Sequence, residues 1–250
     1  VEGKGAAFAQ GYSTLNVTVA ANGKVKIAGV MADGTKVKAN SQLLIAGDGA
    51  EACVNVLAPL YSGKKGGFGF VLWLSKTETP AVESLTDWNA AASKTPFTAS
   101  FDEDAVTAAA LSAPAGSYEF TADIPDAING VAVVSQVETT DDEAYSFEPD
   151  VAVTFNGTKF TVPKAGKLTA KKRVLSVTGK GTNNVALKLT YTKKTGAIKG
   201  SYAVYTWSGS KLKKYTATVT GQMVDGKGYG SALIKKVGTF PVSLVPVSAE

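Results

Sequence analysis

Short alternating runs separated by glycine turns constrain this chain more than any other feature. Leu15, Val17 and Val19 point to one side of an extended segment, and Asn16, Thr18 and Ala20 to the other. Asn22-Gly23 interrupts the alternation, and Val25 and Ile27 resume it. Alternating side chains give a strand one apolar face, and Asn-Gly suits the left-handed positions of a two-residue hairpin turn. Asp33-Gly34 marks the next turn, ahead of Val37 and Leu43-Leu44-Ile45. A later hairpin joins 150–155 to 158–162 through Asn156-Gly157. Further strands are expected at 52–60, 67–74, 118–123, 130–138, 173–178, 185–192, 197–206, 211–220, 228–235 and 239–245. The chain's 26 Thr and 26 Gly fit this reading, since Thr favours the pleated state and Gly the turns.

One stretch departs from the pattern. Residues 77–117 are richer in Ala, Pro and acids, and Ser100-Phe101-Asp102-Glu103 has the form of a capping box. Ala105 to Leu111 then reads as a short helix closed by Pro114 and Gly116, with a helical turn or two expected around Trp88. The expected fold is all-β, with two related barrel-like or sandwich-like halves and a short helical, acidic insertion between them. The halves run over 8–118, including the insertion at 77–117, and over 119–248.

The relation between the halves rests on ordered features. Leu15 to Val19, Asn22-Gly23, Gly29 and Gly34-Thr35-Lys36-Val37 correspond to Leu187 to Tyr191, Thr195-Gly196, Gly200 and Gly209-Ser210-Lys211-Leu212. Each series ends on a glycine-flanked aromatic, Gly67-Phe68-Gly69 in one and Gly228-Tyr229-Gly230 in the other. Such glycines mark a bulge, a bend or close backbone approach. The triplets are therefore expected on equivalent strands.

Chemistry is narrowed by what the chain lacks. There is no histidine and a single cysteine, Cys53. That excludes Ser-His-Asp and Cys-His catalysis, the usual zinc, copper and haem sites, and any internal disulfide. Cys53 lies in an apolar run and reads as an inert core thiol. No run of 18 apolar residues is present, so no transmembrane helix is expected. Ser62-Gly63-Lys64-Lys65 and Lys194-Thr195-Gly196 match two penicillin-recognition signatures, but Gly66-Gly67 denies the serine its helix and no Ser-Asp-Asn element accompanies them.

Charge is segregated along the chain. Residues 1–76 carry eight Lys and four acids, 77–150 one Lys and fifteen acids, and 151–250 seventeen basic residues and two acids. Arg173 is the only arginine, so the forked donor that reads phosphates and base edges is nearly absent, and nucleic acid is not the expected partner. Lysines on sheet edges that resist edge-to-edge pairing are the better account. In the acidic block, Asp141, Asp142 and Glu143 are the candidate oxygen ligands for calcium, and no other cofactor is expected; a solvated loop is the alternative reading. Core packing is the default reading of the tryptophans; if the strand face that carries both Tyr205 and Trp207 points outward, these two, with Trp88, are the candidate sugar-stacking or ligand-binding aromatics.

Gly29, 32–37, 60–66 and Trp88, followed by 195–201, Gly221-Gln222 and Gly228-Tyr229-Gly230, resemble Gly-rich duplicated β domains. Those domains stand at the ends of large surface proteins of the Verrucomicrobia and Planctomycetes group. The resemblance covers most of the chain except 77–117. It implies an exported protein of the cell surface or periplasm, and it transfers no catalytic residue. The expected function is a non-enzymatic bacterial β domain for adhesion, binding or spacing, with a glycan or surface protein as partner. A carbohydrate- or ligand-binding module is the alternative, and a glycan hydrolase using paired carboxylates comes third.

Overall fold

The computed structural model describes residues 10–45, 47, 49, 51–61, 66–75, 78, 80–83, 88–89, 98–99, 108–109, 111–139, 144–178 and 182–247. Of these, 65% are in strands and none is in a helix, which fixes the class as all-β. The expected turns of helix around Trp88 are replaced by strand pairing, Trp88 with Ala99 and Asn89 with both Thr98 and Gly67. Ala90 to Ala92 lie outside the described residues. Of the helix expected from Ala105 to Leu111, Ala108, Ala109 and Leu111 are irregular; its other residues and the capping box at 100–103 lie outside the described residues.

The chain divides into two compact units, 1–110 and 111–250, whereas the sequence suggested a division between residues 118 and 119. The first unit is one antiparallel sheet in half-barrel form. Its strands are β1 (Thr14–Val19), β2 (Lys24–Val30), β3 (Lys36–Ile45), β4 (Glu51–Pro59), β5 (Gly67–Ser75), β6 (Ala81–Glu83), β7 (Trp88–Asn89) and β8 (Thr98–Ala99). They follow the order β1-β2-β3-β4-β5-β7-β8, with β6 also on β5. Strand β3 bends the sheet by changing partner: Lys36 to Gln42 pair with β2 and Leu43 to Ile45 with β4. Val25, Ile27, Val54, Val56, Phe68 and Phe70 make the core, as the alternation requires. The Asp33-Gly34 turn is fixed by its own carboxylate, which accepts from the Thr35 amide at 2.8 Å and from the Tyr61 hydroxyl at 2.8 Å.

The second unit is a nearly closed barrel. Its strands are β9 (Gly116–Ala122), β10 (Ala127–Ile128), β11 (Val131–Ala132), β12 (Gln136–Glu138), β13 (Ala144–Ser146), β14 (Val151–Phe155) and β15 (Phe160–Thr161). They continue as β16 (Lys167–Lys171), β17 (Val174–Thr178), β18 (Lys188–Thr192), β19 (Ala197–Ser208), β20 (Lys211–Val224), β21 (Lys227–Ile234) and β22 (Gly238–Pro246). The main sheet runs β15-β14-β9-β22-β21-β20-β19-β18. Rings bring its two ends together: Tyr191 of β18 lies 4.9 Å from Phe155 of β14 and 6.2 Å from Phe160 of β15. Inside, Phe120, Val153, Tyr202, Val219 and Leu244 fill the space. Each such side chain contributes about 1.5–3 kcal/mol by leaving water, so the interior is a core and not a conduit.

The expected equivalence of the glycine triplets fails. Gly67-Phe68-Gly69 lies on the fifth strand of the β1–β5 meander, and Gly228-Tyr229-Gly230 on the fourth of the β18–β22 meander. Feature order in a sequence carries no strand count, so the match was one of order alone. A narrower likeness does exist. Gly29 of β2 faces Leu15 of β1, and Gly200 of β19 faces Leu189 of β18. At both glycines a Cβ would run into the carbonyl oxygen of the residue preceding that leucine, Thr14 or Lys188.

Candidate functional site

Two strands of the barrel outgrow their neighbours. β19 and β20 pair from Ala197↔Gln222 to Ser208↔Lys211. However, β18 accompanies β19 only over Ala197–Ser201, and β21 accompanies β20 only over Ala217–Val224. Residues 202–208 and 211–216 thus form a hairpin arm that continues past both ladders. A two-residue turn closes it, with Gly209 at φ 62°.

Both faces of this arm are covered. Tyr202, Val204 and Thr206 are buried on one side. Ala203 and Tyr205 are buried on the other, in a small separate core with Val134, Phe147 and Leu175. The antiparallel pairs β12–β13 and β16–β17 supply that cover; Tyr205 lies 4.8 Å from Phe147, ring centre to ring centre. The exposed row that would have made Tyr205 and Trp207 a stacking platform, had that face pointed outward, is therefore not formed. Tyr205 is core, at 8% exposure, and Trp207 is half-buried beside Leu212. A strand of a plain barrel has one wet face, but the added hairpins cover this one a second time.

The tip of the arm is cationic. The turn from β16 to β17 consists of Lys172 and Arg173, both left-handed, at φ 51° and 67°. Non-glycine residues rarely hold such a pair, and each costs on the order of 1 kcal/mol. The turn places the Arg173 guanidinium 5.9 Å from the Trp207 ring centre, and Arg173 Nε donates to the Gly209 carbonyl at 3.3 Å. Lys171, Lys172, Lys211, Lys213 and Lys214 are exposed around these two turns. The Lys213 ammonium sits 5.0 Å from the Tyr215 ring centre, and its hydrogen bond holds the Tyr215 phenol below the usual tyrosine range. No acid occurs between Asp150 and Asp225, so the arm brings together cations without an acid from its own strands. Such a surface attracts anions.

The other candidates lie elsewhere. Trp88 has its backbone in β7 of the first unit, and its side chain is outside the described structure. Asp141, Asp142 and Glu143 fall between β12 and β13, outside the described residues; among those described, no cluster of three or more metal-ligating side chains exists. Thr195-Gly196 belongs to the turn between β18 and β19, with the Thr195 amide donating to the Thr192 carbonyl at 3.1 Å. Ser62 to Lys65 also lie outside the described residues. Sequence reasoning singled out Trp207 but missed its partner. The lone arginine of a lysine-rich block was the available signal.

No protein-family model, curated protein or solved structure matches this chain.

Proposed function

We propose that this chain is a non-enzymatic binding module of a larger exported surface protein, and that it engages anionic partners through the tip of the β19–β20 arm. The observation that carries this reading is the gathering of Lys171, Lys172, Arg173, Lys211, Lys213 and Lys214 about two adjoining turns, with Arg173 held on Trp207 at the expense of a strained turn. Strain that the surroundings maintain is more often found at working surfaces than at neutral ones. Export and surface location rest on the resemblance to surface-protein β domains carried by the glycine motifs.

The reading is tested with anionic polymers, both carboxylated and sulfated, titrated against the isotope-labelled protein. Amide shifts at 171–173 and 209–214 are expected, with affinity that falls steeply as salt rises past about 0.15 M, where the screening length is roughly 8 Å. Replacing Lys211, Lys213 and Lys214 together by Glu should abolish the shifts while leaving the circular dichroism unchanged. Equal binding by that variant would refute the assignment.

A further inference from the structure

We infer that the arm's partner is an acidic polypeptide segment that adds to the free edge of β20 as an extended strand. The inference rests on the anion-binding reading above and specifies the chemistry of the ligand.

The two edges of the arm differ. On the β19 side the main chain is occupied. The Ala203 amide donates to the Val185 carbonyl at 2.7 Å, the Tyr205 carbonyl accepts from the Val134 amide at 2.8 Å, and Thr206 bridges to Val133. On the β20 side, β21 pairs only as far as Ala217. Among the described residues, Lys211 to Thr216 make no main-chain hydrogen bond on that side. Six residues of open antiparallel edge present about three outward sets of N–H and C=O groups, which an extended peptide can satisfy.

Charge then selects the peptide. Lys211 and Lys213 share the arm face of Tyr215, while Lys214 shares the opposite face with Leu212, so an incoming strand meets cations on both of its faces. A second copy of β20 would set lysine beside lysine, and a neutral strand would gain nothing from the ammonium groups. An acidic strand reverses the sign of every such pair. A polyanionic glycan would use the charge and leave the edge amides unfilled. Phosphate reading is disfavoured, because Arg173 is the only arginine and its Nε is already given to the Gly209 carbonyl.

The test uses the full chain and a short extended peptide with Glu on both of its faces, together with two isomers N-methylated on alternate residues of opposite parity. The parent peptide should slow amide hydrogen exchange across 211–216. One isomer should bind at least about tenfold more weakly and the other nearly as well as the parent, because only one parity turns its amides toward the arm. Equal binding by both isomers would overturn strand addition and leave the anion-binding surface standing. Binding of a sulfated glycan with no binding of the acidic peptide would make the surface a glycan site instead. If neither ligand binds, both readings fall.

Discussion

Tyr202 stands at the root of the arm, with its ring 6.0 Å from Phe120 and its hydroxyl donating to the Asp123 carbonyl at 3.1 Å. Burial, and then the charge of Asp123, push its phenol far above the usual tyrosine value. Burial raises Tyr118, Tyr145, Tyr191 and Tyr205 in the same direction. A group that holds its proton more tightly when folded stabilises the fold below its unfolded pKa, about 10 for tyrosine, and that support is lost as pH climbs beyond it. With no histidine to titrate near neutrality, the main fall in stability on the alkaline side should come above about pH 10. Tyr202→Phe should cost about 0.5–1.5 kcal/mol at neutral pH through the lost hydrogen bond. It should also shallow the alkaline slope, as urea unfolding from about pH 9 to about pH 11.5 would measure. An unchanged slope would mean that Tyr202 ionises as freely folded as unfolded.

Among the elements, hairpins with Asn-Gly or Asp-Gly turns were legible, since the dipeptide and the flanking alternation state the same geometry. Val151–Phe155 and Phe160–Thr161 around Asn156-Gly157 are the plainest case, where Asn156 Oδ1 accepts from the Thr158 and Lys159 amides. β16 was not legible, because Lys172 and Arg173 occupy left-handed positions that glycine or asparagine usually signals, and Arg173 reads as the start of a strand. The arm's second covering layer was hidden for a related reason. The strand expected over 130–138 did not show that it breaks into β11 and β12, and three-residue β13 carries too little alternation to register, so the layer that buries Tyr205 was not announced. The close approach of β2 to β1 at Gly29 and of β19 to β18 at Gly200 belongs at this scale too. At Gly200 an added methyl must displace the Lys188 carbonyl as well as the Leu189 side chain, so Gly200→Ala should destabilise the second unit by about 1–3 kcal/mol or more. The fluorescence of Trp207, the one tryptophan in that unit, reports the midpoint in denaturant; a shift within error would show that the strands can part at no cost.

At the scale of the molecule, the units differ in how far apart in sequence their neighbours lie. In 1–110 nearly every sheet contact joins strands consecutive in the chain. In 111–250 the first strand of the barrel pairs with the last, Phe120 with Leu244 and Thr121 with Ser243, and hydroxyls of the latter pair meet at 2.6 Å. Removing residues 238–250 should therefore abolish the second unit's cooperative unfolding and bury Trp207 no longer, while the first unit keeps its strand signal in circular dichroism. Survival of the second transition would show that β9 can find another partner. On a ribosome, which releases chain from one end only, the same pairing sets a timetable. The first sheet can assemble while translation continues, but β9, once paired with β14 on one edge, must wait for β22 on the other, roughly the length of a whole domain later. During that interval the apolar faces of β9 and β14 have no permanent neighbour, and a holding chaperone has its clearest reason to attend this protein.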